Sequence, residues 1–107
     1  MRVLIDTSYV GRGPSGTAVY VQQLVRALRA EGIEVVEAAQ RRRLAPGGGN
    51  PLRSAANAAL DQLWLHGGLA RAARAAAADV VHHPLPAHSR RIAVPQVVTV
   101  HDVAFAG

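Results

Sequence analysis

Gly11, Gly13 and Gly16 spell GRGPSG, a literal GxGxxG, and Glu37 lies twenty-one residues past Gly16. Between a strand and a helix, such a loop offers backbone N–H groups to phosphate. With a carboxylate about twenty residues on for the ribose, it is the dinucleotide fingerprint. The mechanics argue against a nicotinamide site. In the fingerprint the first glycine turns straight off the strand, whereas here Thr7 to Val10 intervene, and Pro14 removes a backbone donor inside the turn. A more general reading survives: the loop opens a helix whose free N–H groups and positive dipole end suit a phosphate or diphosphate. The alternative is a plain surface turn.

Histidines supply the other candidate chemistry. His101 closes the apolar run QVVTVH, and strand carboxyl ends are where open α/β sheets bind ligands. On the residues alone it reads first as a buried histidine satisfied by a neighbouring carbonyl. His82, His83 and His88 cluster at a second strand end, but with four Asp and three Glu in the chain and no ligand pair at a recognised spacing, no metal site is expected. Asp6 and Asp79 read as turn formers at strand ends, so no two-carboxylate mechanism is built from them.

The elements that must position these residues follow from periodicity. Arg2 to Ile5 is a short apolar run ending at Asp6, read as a buried strand feeding the glycine loop. Val21, Leu24, Val25 and Leu28 then recur at helical spacing, and Gly32 sits where that helix stops. Ile33 to Val36 is a second strand, and Gln40 to Pro51 a loop carrying Arg41, Arg42 and Arg43. Leu52 to Leu65 reads as a helix anchored by Leu60, Leu63 and Trp64, broken at Gly67 and Gly68. An Ala-rich helix follows over Leu69 to Ala78. Val80 to His82 and Gln96 to His101 complete the set as buried strands, the last a central one. This order with helix-length crossovers predicts an α/β fold, a Rossmann-like parallel sheet with helices on both faces.

Composition bounds the rest. At 107 residues there is room for one domain. The apolar half is mostly Ala and Val, with four aromatic residues in all, so the core is thin and marginal stability is expected. Twelve arginines against seven acids give a net charge of +5 and a pI near 11.3, yet lysine is absent and the arginines are dispersed. With so few aromatics for base stacking, nucleic acid is not an expected partner. The absence of cysteine excludes disulfide frameworks and thiol nucleophiles. No run reaches membrane-span length, and the amino terminus lacks the pattern of a signal peptide.

Three blocks carry a resemblance to a known family. LIDTSYVGRGPSGTAVYVQQLVRALRAEG resembles the start of the family 4 type of retaining glycosyltransferase, a glycine loop leading into a YxxxLxxAL helix, here Tyr20, Leu24, Ala27 and Leu28. LDQLWLHGGLARAARAAAADVVHHP is similar to its WEQLxLPxxAxxxxADVVHxP segment, with Gly67 and Gly68 where a proline is usual. VPQVVTVHDVAFAG is similar to its VPxVVTVHDLxFL strand and loop.

The resemblance implies the two-lobed GT-B architecture, of which 1–107 would be the incomplete amino-terminal, acceptor-side Rossmann-like domain. The carboxyl-terminal nucleotide-sugar domain would be absent, so either the chain continues past Gly107 or another chain covers the open sheet edge. It implies transfer of a sugar, mannose or glucose among the candidates, from a nucleotide diphosphate donor to a glycan or lipid-linked acceptor. Configuration would be retained, and neither cofactor nor metal would be needed.

The carry-over by residue makes His101 the catalytic group, hydrogen-bonded to the donor sugar. Gly13, Gly16 and Thr17 would hold the donor diphosphate. His82, His83 and Asp102 would belong to the acceptor cleft, with Asp102 orienting the imidazole or turning the chain. A lone lobe would be inactive, because it lacks the nucleotide pocket and the closed, dry site. The location implied is cytoplasmic, with peripheral contact at the inner membrane face through Arg41, Arg42 and Arg43 set against their reading as a solvated charge run. Two rivals remain open at this stage: a stand-alone non-catalytic binding or partner module, and a nicotinamide dinucleotide-binding protein.

Overall fold

The computed structural model describes residues 1–8, 10, 15–40 and 50–99. Within them, strands β1 (Arg2–Asp6), β2 (Glu34–Ala38), β3 (Val80–His83) and β4 (Gln96–Val98) alternate with helices α1 (Gly16–Ala30), α2 (Pro51–Leu63) and α3 (Leu69–Ala75). A π-helical turn, Trp64–Gly68, joins α2 to α3. The four strands form one parallel sheet in the order β2-β1-β3-β4. This is the expected Rossmann-like α/β sheet.

Strand alternation divides the core in two. Val3 and Ile5 of β1 point to the face covered by α1, where they meet Val21, Val25 and Val35. Leu4 points the other way and packs with Leu69, Ala70, Ala73, Val81 and Ile92. β1 is therefore apolar at consecutive positions because both of its faces are covered, as a parallel sheet requires.

Local chemistry sets the helix ends. The Ser15 side chain caps α1 by accepting from Ala18 N–H at 3.0 Å. At the other end Ile33 N–H reaches Leu28 O and Gly32 N–H reaches Arg29 O, with Gly32 at φ 79°. That is a Schellman closure with glycine in the left-handed position, where the sequence placed the stop. Asn50 caps α2, accepting from Leu52 N–H at 3.0 Å, and Pro51 takes the first turn, where its missing N–H costs nothing.

Three expectations are corrected. Gly67 and Gly68 do not break the helix: the backbone stays helical through them, with Leu69 N–H bonded back to Trp64 O in a wide i→i+5 turn. The cause is packing. A Cβ at position 68 would come within 2.5 Å of Trp64 Cε3, so the indole lies against the bare glycine backbone. Second, Leu63 is not an anchor but 69% exposed, whereas Trp64 and Leu65 pack against the core. The wide turn shifts the helical phase by about one residue, so the inward face changes there. Third, β4 is not a central strand among the described residues. It lies at the sheet edge, and both Val97 and Val98 are exposed.

Candidate functional site

The chain leaves β1 through α1 towards β2 on one side, while β3 lies on the other side of β1. The carboxyl ends of β1 and β3 therefore flank a topological switch point, where connections diverge and open a crevice. Asp6, Thr7 and Ser8 follow β1 into it, and His82 and His83 end β3 beside it.

Asp6 is buried and fully engaged. One carboxylate oxygen accepts from Ser8 N–H at 3.0 Å and from the Ser8 hydroxyl at 2.5 Å. The other accepts from the Trp64 indole N–H at 3.1 Å. Ser8 Oγ in turn accepts from Gln40 N–H at 2.8 Å, and Thr7 N–H bonds Ala38 O at 2.8 Å. The turn role read for Asp6 is the one it has. It also locks the exit of β1 to the end of β2 and to the π-helical turn. Asp79, at the entry to β3, accepts from the Arg2 backbone N–H at 2.7 Å and joins the two central strands at their opposite end.

The amino terminus of α1 opens at this crevice, one loop after β1. Gly16 and Thr17 occupy its first two positions, where the helix supplies no acceptor for the amide N–H. Gly16 is exposed and a Cβ there would meet nothing within 4 Å. The helix dipole adds partial positive charge at the same place.

Adjacent histidines on β3 take opposite faces. His82 turns towards α1, where its Nε2 lies 2.8 Å from Thr99 Oγ1 and the Tyr20 hydroxyl lies 3.0 Å from the same oxygen. Burial, and secondarily the neighbouring His83 charge, lowers its pKa below the ordinary histidine value. Neutral imidazole is therefore favoured near neutral pH.

His83 turns to the α3 face and is 1% exposed. Its Nε2 lies 2.8 Å from Gln96 Oε1, which also accepts from Ser89 N–H at 3.1 Å, while Gln96 Nε2 donates to Ser89 O at 2.9 Å. Because the amide oxygen is the acceptor, His83 carries its proton on Nε2. From Ser89 Oγ the network continues to His66 Nδ1 at 2.8 Å, and His66 Nε2 lies 3.2 Å from Gln62 Oε1.

Of the residues singled out from the sequence, Gly16, Thr17, His82 and His83 lie at this end of the sheet. Gly13, His101 and Asp102 lie outside the described residues, as do Arg41, Arg42 and Arg43. Glu37, the acid of the dinucleotide fingerprint, is ion-paired with Arg29 at 3.2 Å. His88 is exposed. Among the described residues, no three of His, Asp and Glu gather as a metal would require, and no helix is long and apolar enough to cross a membrane.

Sequence reasoning did not find Tyr20 and Thr99 as partners of His82, nor Gln96, Ser89 and His66 as partners of His83. A polar residue inside QVVTVH and a Gln–His pair four apart on a helix were the available signals.

No curated protein and no solved structure matches the chain. The family model for Glycosyltransferase Family 4 matches residues 14–106, a span running from the amino terminus of α1 past the end of the described sheet. With the three sequence blocks and the parallel α/β sheet in agreement, the chain belongs to glycosyltransferase family 4.

Proposed function

We propose that this chain is the acceptor-side lobe of a retaining glycosyltransferase that moves a sugar, mannose or glucose among the candidates, from a nucleotide diphosphate donor to a glycan or lipid-linked acceptor. The observation that carries the reading is the amino terminus of α1 opening at the switch-point crevice, with the first-turn amides of Gly16 and Thr17, for which the helix itself supplies no acceptor, at the carboxyl ends of the sheet. Charge accumulates on the diphosphate as the glycosidic bond breaks. Fixed N–H donors and a helix dipole aimed at that charge stabilise the transition state more than the ground state.

In this reading Gly13 contributes to the same loop, and His101, two residues beyond Thr99, hydrogen-bonds the donor sugar. His82 and Asp102 face the acceptor, and His83 supports them from the other side of the strand. The acceptor hydroxyl attacks the face from which the diphosphate departs, so its proton passes to the leaving oxygen and configuration is retained. The scheme calls for no metal ion or cofactor. The location that suits such a donor is the cytoplasm.

Amide-resolved NMR with added UDP or GDP tests the reading. Shifts centred on Gly16 and Thr17, abolished in a Thr17→Pro variant that keeps its fold, are the expected result. Flat titrations to several millimolar, or shifts confined to other faces, would overturn it.

A further inference from the structure

At the amino-terminal ends of β3 and β4, opposite the crevice, a hollow of about 250 Å³ opens between α3 and the connection that leads into β4. Small side chains leave the space: Ala70, Ala73 and Ala78 form its floor with Ile92, all four in the core of that face. The opposite wall is held in shape. Ile92 N–H donates to Ser89 O at 3.2 Å, Arg91 N–H donates to Ser89 Oγ at 3.3 Å, and Gln96 Nε2 donates to Ser89 O at 2.9 Å. With a floor of packed core and a hydrogen-bonded wall the recess is preformed, so binding costs little ordering. The lining and the five residues on either side of each of its two segments all belong to the described residues.

Its two charged lining residues are both arginines, Arg74 from α3 and Arg91 from the connection, and both are exposed. Neither guanidinium has an ion-pair or hydrogen-bond partner among the described residues, whereas Arg2 and Arg29 hold Glu34 and Glu37. Arg71, one turn before Arg74, and Arg90, next to Arg91, add to the positive field. The nearest acid in sequence, Asp79, accepts from the Arg2 N–H at 2.7 Å and so turns to β1. The carboxyl end of α3 opposes an anion with about half a charge, against two whole ones on the guanidinium groups. Its last carbonyls are also occupied: Ala73 O and Arg74 O accept from Ala78 N–H and Ala77 N–H, and the Arg2 guanidinium donates to Ala76 O.

We infer that this hollow binds a small apolar carboxylate, with its short hydrocarbon body on the alanine floor and its carboxylate between Arg74 and Arg91. The guanidinium fork matches a carboxylate in plane and charge, and the floor removes hydrocarbon from water. A sugar gains nothing on a floor without hydroxyl or amide side chains. Because this end of the sheet lies opposite the crevice, binding here is independent of the transferase reading.

The experiment follows backbone amides by NMR at neutral pH while acetate, hexanoate and hexanol are added in separate titrations, with no nucleotide present. Hexanoate should give saturable shifts centred on Ala73, Ala78, Ile92 and Ala93, with a millimolar Kd about tenfold or more below that of acetate. Hexanol has the body without the charge and should bind about tenfold more weakly than hexanoate. Arg74→Gln and Arg91→Gln should each weaken hexanoate about fivefold and leave hexanol unchanged. Ala93→Glu, at an exposed position of the lining, sets a competing carboxylate there and should abolish hexanoate binding. If one arginine variant loses its circular dichroism signal, the other carries the same expectation.

Flat titrations to tens of millimolar, or shifts centred on other faces, overturn the inference. So does hexanoate binding that is no tighter than hexanol binding, or that both arginine variants leave intact, which would mark a plain apolar gap. The UDP and GDP titration reads Gly16 and Thr17 at the other end of the sheet, so either reading can fail alone.

Discussion

His82 and His83 are neighbours in one strand and share a residue type, yet the structure uses them in opposite ways. His83 sits in a closed hydrogen-bond set, with Gln96 fixed from both ends of its amide and Ser89 and His66 beyond it. His82 is half-buried at the crevice, and its recorded partner is a hydroxyl that also bonds Tyr20. The difference comes from strand geometry, since successive side chains leave a sheet on opposite faces. One face leads into packed interior, the other to the edge of the crevice. The lesson is that a cluster of like residues at a strand end is not a structural unit: one histidine is locked into the scaffold and the next stands at the edge of the crevice.

The contrast can be broken most directly by removing the scaffold member. His83→Ala leaves Gln96 Oε1 short of a donor and opens a void in the interior. A loss of about 2–4 kcal/mol in urea unfolding is expected, and in a chain with so thin a core much of the protein should unfold at 37 °C. A loss below about 1 kcal/mol would mean that the Gln96 network closes without the imidazole and that the contrast is false.

A stabilising change remote from both histidines sharpens the comparison. α3 ends in the same Schellman pattern as α1, with Ala78 N–H to Ala73 O and Ala77 N–H to Arg74 O, but the left-handed residue is Ala77 at φ 50°. An alanine there carries a cost that glycine does not. Ala77→Gly should therefore raise stability by about 1 kcal/mol, read from the urea midpoint, with no change in its pH dependence.

His82 should show the smallest effect at neutral pH and the clearest one in acid. Its pKa is lower in the folded state than unfolded, so between about pH 6.5 and the folded value the unfolded chain binds more protons. Stability present above about pH 6.5 should fall as pH drops through that window. His82→Gln should change stability at pH 7.5 by under about 1 kcal/mol and flatten the slope. An unchanged slope would assign the acid response to other groups.

Much of the fold was legible because it is written in short-range pattern. The consecutive apolar residues of β1, the helical spacing of Val21 and Val25, and Gly32 at the close of α1 all act through their immediate neighbours. The π-helical turn was not legible, because two glycines in a row argue for a break by propensity. Here the opposite outcome depends on an indole four residues back needing a bare backbone to lie on. The exposure of Leu63 follows from the same turn. Of the candidate site, the crevice and its histidines could be reached from the order of elements. Gln96, Ser89 and His66 could not, because they meet His83 only after the connection between β3 and β4 has folded back over the strand end. Asp6 was read correctly as a turn former, but its bond to Trp64 spans fifty-eight residues and left no local trace.

The wide turn at Trp64–Gly68 is in effect one surplus residue stored inside a helix. Deleting Gly67 would let ordinary i→i+4 bonding resume and rotate everything beyond it by about 100° relative to everything before. Leu69, Ala70 and Ala73 would leave the core, and the wall that Trp64 forms would separate from the sheet it leans on. Substitutions in this segment can be gradual, but changes of length cannot. Over descent this stretch should therefore hold its residue count while the flanking surface of α2 drifts, much as a gear tolerates wear on its rim but not the loss of a tooth.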